Sequence, residues 1–271
     1  MKTKSLLLLA TLLINSAILM GQKNDTIRIS PKDLNTAVLK EGTHRYLVYF
    51  KMKKDSVRTQ TQFWTRVIKR TTYNGKPAIE ITQEWEDKDS ILHMVKSYSD
   101  AKTMAPLYHN TWWKFATSRN ATVKTVTSTV VDMVNNTVQY NDRFLSDADT
   151  GSRAKKIWDS YKTSLNKYYL NWHLDLETFP LLPFKKGVTF LIPFYDPGTA
   201  SDYQTVAYTV KGEADLESYD QQKVPCWLLV HESPGNKEVF WISKKTREVL
   251  KLEQEFGAGS YRYKIKLSFS N

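Results

Sequence analysis

The residues of this chain that could bind a metal do not form a recognisable motif in the sequence. None of its five histidines belongs to a His-x-x-x-His or His-Glu-x-x-His arrangement, which would place two ligands on one helix face. They are His44, His93, His109, His173 and His231. His173 and Asp175 would share a strand face, but the sequence shows no third ligand beside them. We therefore expect no bound metal and no cofactor.

The sequence also has no complete motif for nucleophilic catalysis. Ser164 and Lys167 fit the Ser-x-x-Lys spacing of serine acyl-transferases, but the companion motifs Ser-Asp-Asn and Lys-Thr-Gly are absent from the sequence. The sequence also lacks a Gly-x-Ser-x-Gly elbow, a P-loop and a Gly-x-Gly-x-x-Gly turn. The one cysteine, Cys226, lies in an apolar run that predicts a strand, and we expect a buried, inert thiol. We identify no catalytic residue.

Paired carboxylates could serve a glycosidase, which uses two of them around the scissile bond. Three pairs are spaced two positions apart, mostly on strand faces that we expect to meet solvent: Glu84 with Glu86, Asp175 with Glu177, and Glu253 with Glu255. A catalytic pair usually comes from different strands. The sequence therefore leaves a secreted hydrolase acting on glycans open as an alternative.

Aromatic residues, 13% of the chain, suggest where a ligand could bind. One group lies in a stretch that we interpret as a loop, and the other forms a stripe at helical spacing. The stripe predicts packing of a helix against the concave side of a sheet. Alternatively, helix and sheet enclose a cleft for an acyl chain, with the first group at its mouth or on a membrane surface. The candidate ligand-binding residues are Trp112, Trp113, Trp158, Tyr161, Tyr168 and Trp172.

Alternation of apolar and polar residues dominates the chain and predicts half-buried antiparallel strands. Asn74-Gly75 separates two such runs and predicts a hairpin with a type I′ turn, because that turn needs positive φ at both positions. The last strand alternates as clearly, with Tyr263 on one face and Lys264 on the other. We count ten to twelve candidate strands.

One segment changes period. Between Ala154 and Trp172 the apolar residues recur at spacings of three and four, which predicts one amphipathic helix of roughly 18–22 residues. The predicted class is therefore α+β and β-dominated, with a curved antiparallel sheet or half-barrel and one main helix. We expect a single β-rich domain over 22–271, with any subdivision near 145–175.

The start of the chain predicts export. Lys2 and Lys4 precede an apolar run from Ser5 to Met20, and Gly21 follows it, which is the layout of a signal peptide over 1–21. The chain lacks a cysteine just after this run and any later apolar stretch long enough to span a bilayer. We expect a soluble periplasmic or otherwise exported protein without a lipid anchor.

The formal net charge of +11 is spread along the whole chain. Because the sequence has neither a block of five basic residues nor a nucleic-acid-binding motif, we expect no nucleic-acid partner. For an exported protein, an anionic envelope surface is the more economical partner.

The region 170–270 resembles a family of exported, uncharacterised envelope proteins with a domain of unknown function. The similarity lies in Asp175-Leu-Glu-Thr-Phe-Pro-Leu-Leu-Pro-Phe, Val224-Pro-Cys-Trp-Leu-Leu-Val and Phe240-Trp-Ile-Ser-Lys-Lys. Those proteins are in turn similar to the lipoprotein-carrier (LolA/LolB-like) fold. The resemblance implies a curved sheet that wraps helices around an apolar cavity, and a lipid or acylated partner. The first half of this chain departs from the carriers, because their N-terminal helix and signature arginine have no counterpart here.

The leading hypothesis is a non-enzymatic, exported binding protein that holds an apolar small molecule or lipid in its curved sheet. The alternatives are the hydrolase and an envelope scaffold that offers an edge strand or a basic surface to a partner.

Overall fold

The computed structural model describes residues 25–116, 124–218, 221–257 and 259–268. They form one large, curved sheet of 16 strands that does not close into a barrel, which confirms the β-dominated α+β class. The predicted signal peptide lies outside the described residues. The strands are β1 (Thr26–Arg28), β2 (Gly42–Lys51), β3 (Thr59–Tyr73), β4 (Lys76–Glu86), β5 (Ile91–Asp100), β6 (Pro106–Ala116), β7 (Lys124–Asp132), β8 (Thr137–Tyr140), β9 (Arg143–Phe144), β10 (Leu170–Asn171), β11 (Thr189–Tyr195), β12 (Gln204–Glu217), β13 (Lys223–Ser233), β14 (Asn236–Ser243), β15 (Val249–Phe256) and β16 (Ser260–Lys266).

The sheet is built from two antiparallel meanders. Strands β2 to β9 pair with their sequence neighbours, as do β11 to β16, and β16 joins the two meanders by pairing with β2. At the other edge, β1 and β10 pair with β11 in parallel. The helices are α1 (Ser152–Ser164) and α2 (Asp175–Thr178), with short 3₁₀ turns at Pro31–Asp33, Thr36–Val38, Trp172–Leu174 and Phe179–Leu181.

The hairpin between β3 and β4 confirms the turn predicted from Asn74-Gly75. Both residues have positive φ, 46° and 76°, as a type I′ turn requires. The loop predicted around Trp112 and Trp113 is wrong, because these residues lie inside β6, which pairs with β5 and β7. The strand was missed because aromatic and polar side chains occur on both of its faces.

The amphipathic helix is shorter than predicted, since α1 ends at Ser164. Leu165 is extended and Asn166 has a φ of 58°, so the helical stripe stops there. The chain then pairs with β11 through Leu170 and Asn171. The helix itself packs on a small separate cluster that includes Val131, Val138, Leu145 and Tyr161.

The concave face of the sheet is filled by the chain that follows α1. Leu174, Phe179, Leu181 and Leu182 are all fully buried in the main apolar cluster. Burying each such side chain contributes about 1.5–3 kcal/mol. This packing fixes the intervening polar residues of 171–177 against the middle of the sheet.

Strand β16 turns its basic face inward. Lys264 and Lys266 are each 4% exposed, whereas Leu267, just past the strand, is 49% exposed. A buried lysine needs an acidic partner, so this strand brings charge to the concave face. Among the described residues, no helix is long and apolar enough to cross a membrane.

Candidate functional site

Two adjoining cavities open on the concave face. The first, here called the polar pocket, has a volume of about 310 Å³ and includes Arg66, His173, Asp196 and Glu238 in its lining. The second, the aromatic cleft, has a volume of about 530 Å³ and a mainly apolar lining. Both are lined by Trp64, Trp85 and Arg262. Because they share these side chains, the two cavities form one continuous depression.

Stacked indole rings form the wall of this depression. Trp64 and Trp85 stack with their ring centroids 3.7 Å apart and an interplanar angle of 7°. Trp113 meets Trp85 edge to face at 5.3 Å. Phe50 and Phe115 extend the apolar lining toward the outer end of the cleft. Such a wall suits an apolar or flat ligand surface.

Arg262 lies at the junction of the two cavities. Within the part of the chain that the structure describes, its guanidinium makes no hydrogen bond or ion pair, and its Nε is buried. Every guanidinium N–H is a donor, so a half-buried arginine without acceptors is costly. Among the described arginines and lysines that line the polar pocket, Arg262 is therefore the one free to bind an anion.

The other cations of the polar pocket are paired in what we call the charge cluster (Arg66, Asp175, Glu177 and Lys264). Arg66 contacts both oxygens of Glu177, at 2.7 and 2.8 Å, and lies 3.8 Å from Asp175. Lys264 donates to Asp175 at 2.7 Å. Two-point contact between a guanidinium and a carboxylate is the strongest geometry for such a pair.

The charge cluster changes the pKa values of its members. Burial lowers the pKa of Lys264 to about 8, although Asp175 opposes that shift. Burial alone would raise the pKa of Asp175, but the charges of Lys264 and Arg66 outweigh it and lower the pKa below its ordinary value. Asp175 therefore stays ionised at neutral pH.

Beside it lies the histidine cluster (His93, His109, His173 and Asp196). His93 Nδ1 lies 2.8 Å from the carbonyl oxygen of Trp112, and its Nε2 lies 2.7 Å from Nε2 of His173. His173 Nδ1 lies 3.4 Å from Asp196 Oδ1. Burial lowers the pKa of His93 to about 2 and holds the pKa of His109 well below its ordinary value.

Hydrogen bonds hold the backbone of His173 in place. Its carbonyl oxygen accepts from Arg66 at 2.9 Å and from Gln83 at 3.1 Å. Its N–H donates to Asn171 Oδ1 at 2.9 Å. The charge cluster therefore also positions the histidine cluster.

A second histidine–carboxylate contact lies further along the concave face. His44 Nδ1 lies 3.5 Å from Glu248 Oε1, and Lys266 Nζ lies 2.7 Å from the former and 3.2 Å from the latter. Burial alone would raise the pKa of Glu248, but the His44 hydrogen bond and the charge of Lys266 lower it to about 2.

The six residues predicted to bind a ligand lie in different places. Trp113 lines the aromatic cleft and Trp172 lines the polar pocket. Trp112 points to the opposite face of β6, where it lines a groove on the convex side. The remaining three pack elsewhere: Trp158 and Tyr161 in the small cluster under α1, and Tyr168 against the main core. Their binding role stays a prediction.

The other residues singled out in the sequence also have a place in the structure. Glu84 and Glu86 are exposed, whereas Asp175 and Glu177 belong to the charge cluster. Cys226 is fully buried, and burial raises the pKa of its thiol to about 11. This confirms that the thiol is buried, as expected from the sequence, and its raised pKa agrees with the expected lack of reactivity.

A comparison with known families agrees with one expectation from the sequence. The model of a family described as protein of unknown function (DUF3108) matches residues 45–266. The chain belongs to this family. The DUF3108 match confirms the expectation that the chain contains an uncharacterised domain of unknown function. The similarity to the lipoprotein-carrier fold stays a prediction. No curated protein and no solved structure gives a significant match.

Sequence reasoning missed most of the site in this DUF3108 chain. His93, His109 and His173 lie on β5, β6 and a 3₁₀ turn, and only the pairing of the strands brings them together. The usable signal was the alternation in β6, which puts His109, Thr111 and Trp113 on one face. Had β6 been recognised as a strand, His93 and His109 could have been placed on one sheet face.

Proposed function

We propose that the protein is an exported binding protein for an amphipathic ligand, which has an apolar body and an anionic head. The observation that carries the proposal is Arg262, an arginine without a hydrogen bond or ion pair among the described residues, at the point where the aromatic cleft meets the polar pocket. The predicted signal peptide and the resemblance of 170–270 to lipoprotein carriers agree with this function.

The aromatic cleft suits the body of such a ligand. Its volume of about 530 Å³ is within the roughly 300–1,000 Å³ that small-molecule sites occupy. Trp85, Trp113, Phe50 and Phe115 supply apolar area, and Lys114 and Lys124 lie among the residues that line it. An alkyl chain or flat ring lying along the indoles would bury area on both sides.

The polar pocket suits the head of the ligand because only one of its cations is available. Arg66 and Lys264 are already neutralised by Glu177 and Asp175. Arg262 can donate two parallel hydrogen bonds to a carboxylate or a phosphate, which an arginine fork matches in geometry. The head would therefore lie at Arg262 and the body would extend into the cleft.

A matched pair of ligands tests the proposal. Oleate and oleyl alcohol have the same chain but differ in the charge of the head, and tryptophan fluorescence would report their binding. We expect oleate to bind roughly 10–100-fold more tightly, since a hydrogen bond to a charged group contributes about 1.5–3 kcal/mol. Arg262→Gln should remove the difference, and Arg45→Gln, an exposed arginine on β2, should leave it intact. Equal affinities in the unaltered protein would refute the anionic head, and no binding of either ligand would refute the function.

The polar pocket also supports a second candidate, a hydrolase acting on glycans. Asp175, Asp196 and Glu238 all line it beside tryptophan rings. A general acid needs a raised pKa, and the pKa of Asp175 is lowered, so that residue could act only as a base or nucleophile. Release of reducing sugar from a panel of envelope glycans, lost in Glu238→Gln, would favour the hydrolase over the binding protein.

A further inference from the structure

Once the ring hydrogens of His93 and His173 are assigned from their hydrogen bonds, no hydrogen is left between His173 Nδ1 and Asp196 Oδ1. The carbonyl oxygen of Trp112 only accepts, so His93 carries its hydrogen on Nδ1. The Nε2 of neutral His93 then accepts from His173 Nε2–H. This leaves a lone pair on Nδ1 of neutral His173, which faces the Asp196 carboxylate at 3.4 Å. Two acceptors at this distance need a cation or a second proton between them.

His109 is incompletely bonded on the same side of the sheet. Its Nδ1 lies 2.7 Å from Ser97 Oγ and 3.0 Å from Asn171 Nδ2. Its Nε2 is buried and has no hydrogen-bond partner among the described residues, and the residue is 1% exposed. A buried ring nitrogen without a partner is unusual and calls for a bound group.

We propose that a divalent transition-metal ion binds between His109, His173 and Asp196. One ligand atom from each of these residues lies within 4.8 Å of the other two. In a tetrahedral zinc site with metal–ligand bonds of about 2.0–2.2 Å, the ligand atoms are about 3.3 Å apart. The His173–Asp196 pair is already at 3.4 Å, so the nitrogen of His109 has to move closer.

The surroundings provide the outer contacts that metal-binding histidines need. His173 Nε2–H donates to His93, which in turn donates to the backbone of β6. Binding through His109 Nε2 places that ring's hydrogen on Nδ1, where Ser97 Oγ accepts it. The Asn171 amide then loses an acceptor, which the metal must offset. Such outer contacts orient the ring and raise its basicity.

The donor set selects the class of ion. Two imidazoles and one carboxylate suit zinc and its neighbours, whereas calcium and magnesium prefer ligand sets made of oxygen. His173 and Asp196 line the polar pocket, so a fourth position on the ion would be reached from there. The site does not depend on the amphipathic ligand, and it can be tested without one.

Metal titration of the chelator-treated full-length protein tests the site. We expect one equivalent of Zn²⁺ by calorimetry and a Zn²⁺-dependent rise in melting temperature. Co²⁺ should give the visible absorption of a tetrahedral site. His109→Gln and Asp196→Asn should abolish all three signals, and His93→Gln, a positioning residue, should weaken Zn²⁺ binding 10–100-fold.

His231→Gln is the matched control, because this half-buried histidine lies on β13 outside the cluster. It should bind Zn²⁺ as the unaltered protein does, and circular dichroism should show every variant folded. Binding that survives both His109→Gln and Asp196→Asn would overturn the site. Absence of Zn²⁺ binding would also overturn it and would assign the Asp196 contact to a doubly protonated His173.

Discussion

Among the described residues, two contacts between a histidine nitrogen and a carboxylate oxygen lie on the concave face, and they differ in whether a cation lies beside them. Between His44 and Glu248, 3.5 Å apart, the ammonium of Lys266 contacts both atoms. Between His173 and Asp196, 3.4 Å apart, no lysine or arginine of the described residues forms an ion pair with the carboxylate. The first contact includes its own cation and stabilises the fold. The second contact lacks such a cation among the described residues. Because His173 and Asp196 line the polar pocket, a cation from solvent can reach them there.

The largest expected effect comes from removing the internal cation. Lys266→Met removes the ammonium that lies 3.2 Å from the buried Glu248 carboxylate, and we expect a loss of about 3–5 kcal/mol in the free energy of unfolding. Urea unfolding followed by tryptophan fluorescence would measure it. Lys237→Met, whose exposed ammonium pairs with Glu232 at the surface, should change the free energy by less than about 1 kcal/mol. Equal effects of the two variants would break the comparison.

The same contact should determine part of the acid stability. The pKa of Glu248 falls from 4.5 to about 2 on folding, so its contribution is complete above pH 4.5 and is lost as the pH falls toward 2. A shift of that size corresponds to on the order of 3 kcal/mol. Glu248→Gln should show a flatter loss of stability over this range, and Glu84→Gln, an exposed residue of β4, should follow the unaltered protein. Parallel curves for all three proteins would show that Glu248 does not carry the effect.

Removing the carboxylate of Asp196 should change the free energy of unfolding much less than removing Lys266. In metal-free protein Asp196→Asn replaces an acceptor by an amide that can donate to His173 Nδ1, and we expect a change under about 1 kcal/mol of either sign. Thermal unfolding with a chelator present would measure it. A loss as large as that of Lys266→Met would mean that Asp196 already pairs with a charged His173.

The smallest expected effect on stability is that of Arg262→Gln. Because this arginine makes no hydrogen bond or ion pair among the described residues, its loss breaks no such contact, and the free energy of unfolding should change by less than about 0.5 kcal/mol. Unfolding curves collected beside those of Arg45→Gln would show it. A marked destabilisation would place Arg262 in the structural network instead of the binding site.

Local patterns in the sequence predicted much of the sheet, but they did not predict which face of a strand is buried. Alternation predicted most strands, and Asn74-Gly75 predicted its turn, because both depend on neighbouring residues alone. In β16 alternation separated Tyr263 from Lys264, yet the basic face is the buried one. That choice depends on Asp175 and Glu248, which reach Lys264 and Lys266 from distant parts of the chain.

The candidate site could not be predicted for the same reason. Arg66, His93, His109, Asp196 and Arg262 lie on or beside separate strands, and no spacing in the sequence links them. The predicted helix also ran too far, because the spacing of Tyr168 and Trp172 continued the helical period by chance. Tyr168 instead lies between α1 and β10, and Trp172 begins the 3₁₀ turn that follows β10. The parallel pairing of β10 with β11 is a contact that local periodicity does not reveal.

Native mass spectrometry of the protein, gently purified from a cell envelope fraction, would test the central claim most directly. We predict a discrete extra mass that extracts into organic solvent as an acidic amphiphile and is lost in Arg262→Gln but not in Arg45→Gln. A protein that carries no extra mass, or one whose extra mass stays in the aqueous phase, would contradict the proposed function.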